Sequence, residues 1–190
     1  MQLTDFLVPS LVNQLTALAG WLDKAETFAA ERGESPDRLL ELRIAPDMWP
    51  LASQIRIAAF QAQEPLFRLR GAPVPDSVVA VRTEGSNAGE QPGTWGEARA
   101  RLAEALDRLS TVGTNEFDAD PQAPLAHELP MGMTFDMTRE AYVRDWTLPQ
   151  VAFHACMAYA ILRQAGVPLG KVDFVPHMFG YLRPGAMPAR

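Results

Sequence analysis

Between Leu11 and Ala29 the apolar residues fall at alternating steps of four and three: Leu11, Leu15, Leu18, Leu22, Ala25 and Ala29. At 3.6 residues per turn this spacing draws one apolar stripe along a helix, with Asn13, Gln14, Asp23, Lys24 and Glu31 mostly off it. A stripe of that length has to be buried against other elements, so it constrains the fold more than any other feature. Pro9 fits either the first turn of this helix or a kink after an earlier start at Thr4-Asp5. Gly33 ends it.

Further stripes follow. Ser35-Pro36 reads as an N-cap with proline at the first helical position, opening a short helix through Leu39 to Leu42 that stops before Pro46. Asp47 is placed to cap the next helix, with Pro50 in its first turn and Leu51, Ile55, Ala58, Ala62 and Leu69 as its stripe. Pro65 should bend that helix or end it early. From Gly71 to Gly93 the density of Gly, Pro, Ser and Asn predicts a long surface loop, with SVVAVRT briefly extended. Thr94-Trp95-Gly96-Glu97 matches the capping box and opens a third helix with Ala98, Leu102, Ala105, Leu106 and Leu109 buried, up to Gly113. Two runs, LAHELPM and MTFDMTREAYVRDW, flank Gly132 and predict a β-hairpin. The last helix opens at Thr147, where Thr147-Leu148-Pro149-Gln150 forms a second capping box, and leaves through Gly166 and Pro168. Lys171 sits by that helix C-terminus or pairs with Asp173. Arg163 anchors the turn or pairs with Asp47, with recognition of an anionic ligand as the weaker, functional alternative. The result is four main helices with a hairpin before the fourth.

Composition narrows the function classes. The chain has 190 residues, enough for one full core, and a net charge of −6. No Lys/Arg cluster interleaves with aromatics, which argues against nucleic acid as a partner. No run approaches the ~20 apolar residues that cross a bilayer, and the N-terminus lacks the basic start of a signal peptide. A single cysteine, Cys156, rules out an internal disulfide and fits a cytoplasmic protein.

The residue with chemical potential is His154. On a helix wheel centred on it, Gln150 and Ala158 lie about 40° to either side, with Ile161 and Ala165 within about 20°. His154 therefore falls in the middle of the buried stripe. Cys156 points the opposite way, so a Cys-His nucleophilic pair is excluded and the cysteine reads as a small packed residue. No serine elbow, phosphate loop or His-Glu-x-x-His motif occurs. His154 is either a core histidine with a hydrogen bond, a ligand-binding or catalytic group, or a metal ligand. His127, in the predicted hairpin, and His177, in the tail, could fold over the bundle mouth beside it. Their spacing is not that of ligands, and they read as unrelated.

The run FHACMAYAILRQAGVPLGKVDF, Phe153 to Phe174, together with DMWPLASQI, Asp47 to Ile55, resembles an uncharacterised bacterial family. That family is a domain of unknown function whose members share F-H-x-x-x-A-Y-A-I-L-R-x-x-G-V-x-L-G-K-x-D-F, and it is similar to a branch of the DinB/YfiT-like superfamily. The resemblance implies an all-α, DinB/YfiT-like four-helix bundle with a small β-hairpin between helices three and four. It spans residues 1–175, leaving 176–190 as an irregular tail. The loop around Gly85 to Gly93 and that tail look like additions of this chain.

Many superfamily members hold a divalent metal with three histidines. Carried onto this sequence, those positions are Gln54, Gln150 and His154, one imidazole and two amides, a poor transition-metal set. The capping box gives Gln150 a purely local explanation. The expected function is a cytoplasmic binding or interaction protein without metal, whose bundle mouth around Gln54, Gln150 and His154 holds a small ligand or nothing. The alternative is a metal-dependent transferase or hydrolase, similar to the thiol-transferring superfamily members, using His154. Superfamily members often pair, which implies a homodimer, with Trp49 or Trp95 as an exposed contact.

Overall fold

The computed structural model describes residues 2–185. Its helices are α1 (Leu3–Ala30), α2 (Leu51–Arg68), α3 (Asp76–Asn87) and α4 (Trp95–Ser110), followed by a hairpin of β1 (Pro124–Glu128) and β2 (Thr134–Thr138). A single turn, α5 (Arg139–Ala141), and a π-helical segment (Tyr142–Thr147) lead into α6 (Leu148–Gln164), and α7 (Lys171–Phe174) closes the domain. In the bundle α1 packs on α4 and α6, and α2 packs on the same two, so four helices form a closed ring. The all-α bundle with a hairpin before its last helix is the architecture expected.

The α1 stripe is buried as its spacing requires: Leu11, Leu15, Leu18, Leu22 and Ala25 are all inaccessible to solvent. The helix takes the earlier start, at Leu3, with Pro9 inside it. Gly33, at φ +66°, turns the chain out, a conformation in which glycine has no Cβ penalty. Ser35 caps the 3-10 turn Pro36–Glu41 by accepting from the Asp37 N–H. Asp47 does not cap α2, because Pro50 is the extended residue before its first turn. Pro65 does not stop the helix at once, since α2 runs on to Arg68.

The segment expected as a loop holds the largest departure. Residues 76–87 are helical, and β-branched SVVAVRT is not extended. Pro75 and Asp76 supply a start, and Val78, Val81 and Gly85 then fall on one face, which is buried. That face lies on α2, outside the four-helix ring. Gly85 allows the close approach: a Cβ there would come within 2.7 Å of Ile57 Cδ1 and 3.2 Å of Arg56 Cβ. Packed by α3 on its outer side, α2 buries polar residues as well as its stripe, namely Ser53, Gln54, Arg56, Gln63 and Glu64. Most have partners, as burial demands. Arg56 Nη1 donates to the Ala52 carbonyl at 3.2 Å, and Gln63 Oε1 accepts from Arg108 Nε at 2.9 Å.

Thr94 and Glu97 make the full reciprocal capping box at the start of α4. Its neighbour Trp95 is buried, so it offers no contact to a second copy. The hairpin pairs antiparallel with His127 opposite Phe135, and its turn passes through Gly132 at φ +85°. Alternation along β1 turns Leu125 and His127 inward. The second run was too long for one strand and becomes helical after Thr138.

That helical lead-in removes the second capping box. Thr147 is already in helical geometry (φ −58°, ψ −56°), whereas a capping residue must be extended, and its hydroxyl caps nothing. Gln150 thereby loses its local explanation. Cys156 is exposed, not packed. At the far end Gly166 adopts φ +94°, and Arg163 Nη1 donates to the Val167 carbonyl at 3.4 Å, anchoring the turn. Asp173 pairs with Lys24 at 2.7 Å, not with Lys171. Trp21 Nε1 donates to the Asp173 carbonyl at 2.6 Å, and its ring stacks on Phe174 at 5.3 Å. The tail forms a 3-10 turn, Pro176–Tyr181, where an irregular chain was expected, and none of that turn's residues is buried. The remainder of that expectation, 186–190, lies outside the described residues. Among the described residues no helix is long and apolar enough to cross a membrane.

Candidate functional site

Two side chains one helical turn apart on α6, Gln150 and His154, face the same cavity of about 430 Å³. α2 and the hairpin close its other sides. Trp49, Phe60, Trp146 and Phe153 supply aromatic wall, and Met131 overhangs from the hairpin turn. The Trp49 ring lies nearly parallel to His154 at 6.0 Å, and Phe153 meets it edge-on at 5.2 Å. Trp49 and Phe153 are largely exposed, which leaves the mouth open to solvent.

His154 itself is buried, and behind it stands Gln54. Gln54 Nε2 donates to the Trp49 carbonyl at 3.1 Å, which turns its Oε1 toward His154 Nδ1 at 2.8 Å. A backbone carbonyl thus fixes the amide, and the amide fixes the imidazole: Nδ1 carries the proton, and Nε2 keeps its lone pair. Burial pushes the His154 pKa down to about 4, so the ring is neutral at physiological pH. The three residues expected at the bundle mouth are therefore brought together, with Gln54 in a supporting position and not on the cavity wall.

Two groups on the opposite wall escaped the sequence reading. His127, expected to be unrelated to His154, lines the same cavity. It is 1% exposed, packs against Trp146 at 4.6 Å and Tyr142 at 5.1 Å, and neither ring nitrogen has a hydrogen-bond partner among the described residues. Burial lowers its pKa to about 4 as well. Glu64 is buried on the same lining, accepting from Arg68 Nη2 at 3.1 Å. Burial raises its carboxyl pKa, with Arg68 opposing. The signal for His127 was available in the period-two alternation of LAHEL, which places it with Leu125 on one face. Only the docking of that face on the bundle end shows what it meets.

The three-histidine metal set of the superfamily does not fit these residues. Gln54 spends its oxygen on His154 and its nitrogen on a carbonyl, which leaves one imidazole lone pair and the Gln150 amide. Among the described residues no group of three His, Cys, Asp or Glu side chains is placed to hold a metal ion.

Four helices in a ring, with a hairpin before the last, form a DinB-like bundle. The crystal structure of a DinB family member protein from Shewanella denitrificans is similar throughout: TM-score 0.73, 30% identity, covering 99% of this chain and 94% of that one. Residues 3–175 match the family model for the domain of unknown function DUF1993, and the chain belongs to that family. No curated protein matches it.

Proposed function

We propose that this protein binds a small organic molecule, without metal, in the cavity at its bundle mouth, with His154 Nε2 as the principal hydrogen-bond acceptor. One observation carries the reading. The relay from the Trp49 carbonyl through Gln54 to His154 Nδ1 leaves a lone pair free on a residue that lines a cavity of ligand size. Gln150, with no capping role, is free to contact the occupant at the mouth. The single cysteine, exposed and unpaired, supports a reducing, cytoplasmic setting. For the pairing of two copies implied by the resemblance, Trp49 remains the exposed tryptophan at this end.

The alternative, a metal-dependent transferase or hydrolase using His154, lacks a supporting donor set. Stoichiometric zinc, nickel or manganese in untagged protein, lost in His154→Ala, would restore it. The binding reading is tested by titrating a library of small fragments while following backbone and indole resonances by NMR. Hits should shift the Trp49 and Trp146 indole signals, and Gln150→Trp, which fills the half-exposed mouth, should abolish those shifts while leaving the spectrum folded. Hits that map elsewhere, or none at all, would end it.

A further inference from the structure

Away from the bundle mouth, α2, α3 and α4 line a larger cleft of about 560 Å³, which shares no lining residue with the first cavity. We infer that this cleft is a second binding site, for a small zwitterion of the amino-acid class, with its carboxylate on Arg56 and its ammonium on Glu97. Arg56 is the only buried arginine or lysine among the described residues, 3% exposed and on the cleft lining. Its Nη1 donates to the Ala52 carbonyl. The parallel N–H groups of Nε and Nη2, the edge that grips a carboxylate side-on, have no hydrogen-bond partner among the described residues. The Glu84 carboxylate comes no nearer than 3.7 Å, from Oε2 to Nε, beyond hydrogen-bond length. Both Glu84 oxygens are already held by Arg101, at 2.6 and 2.9 Å. The free Arg56 nitrogens are not sealed in the packing, since both keep solvent-accessible surface on the cleft. Burial draws the Arg56 pKa below that of an exposed arginine, with Glu84 and Glu97 opposing, as befits a cation short of counter-charge.

Glu97 supplies the opposite charge. Its Oε2 accepts from the Thr94 N–H at 2.7 Å, and its Oε1 accepts from nothing among the described residues. Gly93 touches both groups: a Cβ there would lie 2.7 Å from Glu97 Oε2 and 2.7 Å from Arg56 Nη2. The missing side chain thus leaves open a slot flanked by a cation and an anion that do not pair with each other. Selection follows from those charges. The lining holds two arginines and two glutamates, a formal charge of zero. A lone anion on Arg56 would face Glu84 and Glu97, and a lone cation on Glu97 would face Arg56. A zwitterion meets each group with the opposite sign. The lining carries no aromatic side chain, so it offers an apolar ring nothing to stack on.

Titrating the full chain with L-alanine, propionate and ethylammonium separates the possibilities. The second probe is the first without its ammonium, and the third is the first without its carboxylate. NMR reads the backbone amides of Gly93 and Glu97 and the Arg56 Nε–H. L-Alanine should bind at least tenfold more tightly than either half. Glu97→Gln keeps the capping box, which accepts glutamine, and removes the charge, so L-alanine affinity should fall about tenfold, to the level of propionate. Arg56→Met, which keeps the apolar stem, should abolish L-alanine binding. Should that variant fail to fold, Arg56→Lys, which keeps the charge without the fork, should weaken binding about tenfold. Propionate or ethylammonium binding as tightly as L-alanine would overturn the inference. Unchanged L-alanine affinity in a folded Glu97→Gln chain, shifts confined to other residues, or no shift with any probe would overturn it as well.

Discussion

Replacing His154 with alanine removes a buried ring and strands the Gln54 oxygen that accepted from it. Cavity and unsatisfied acceptor together should lower stability by about 2–4 kcal/mol, measured by chemical denaturation. The same ring sets a pH dependence of defined sign. Its folded pKa of about 4 lies below the 6.5 of an ordinary histidine, so between those values the unfolded chain binds the extra proton. The His154 contribution is therefore present above pH 6.5 and is lost as pH falls toward 4, by up to about 2 kcal/mol at pH 5. Glu64 acts in the opposite direction, since its raised carboxyl pKa favours the folded state at low pH. Comparing wild type with His154→Gln isolates the imidazole: the variant should lose less stability between pH 7 and pH 5. Parallel pH profiles for the two proteins would show that the ring is not held neutral.

At the scale of elements, two positions separate local from tertiary control. Thr94→Ala removes an intact capping box from α4 and should destabilise by about 1 kcal/mol, wherever α4 packs. Gly85→Ala is the contrasting case. Within an isolated helix alanine gains about 1 kcal/mol over glycine, but here the methyl would meet Ile57 and Arg56 across the α2–α3 contact. Overpacking should outweigh the propensity gain, giving a net loss of about 1 kcal/mol or more in urea unfolding. A stabilised Gly85→Ala chain would mean that α3 does not sit this closely on α2. The π-helical segment also belongs to this scale. It lets the chain pass from hairpin to α6 without a break, and it carries Trp146, whose buried Nε1 has no partner among the described residues. Such segments recur at functional sites, which agrees with a cavity wall built here.

For the whole molecule, the family match ends at Val175, and no residue of the described tail beyond it is buried. A chain truncated after Val175 should melt within about 2 °C of the full protein, because none of the described residues it removes is buried. Truncation after Gly170 should cost far more, since Trp21 would lose the Asp173 carbonyl and the Phe174 ring, and Lys24 its carboxylate. Calorimetry of both chains places the domain boundary.

What the sequence determined by itself is whatever neighbouring residues decide among themselves. The α1 stripe, the Thr94–Glu97 cap, the Gly132 turn and the Gly166 exit each rest on residues within a turn or two of one another. The motif of α6 carried the family, and one-turn spacing put Gln150 and His154 on one face. Tertiary structure decided the rest. Asp76–Asn87 is rich in β-branched and turn-forming residues and is helical because α2 offers it a face to bury. Thr147 fails to cap because a helix already arrives from the hairpin. His127 joins His154 although they lie 27 positions apart in sequence, because the hairpin lays its inward face across the bundle end. Local rules act along the chain, whereas a cavity is made by surfaces that meet only after the chain has folded.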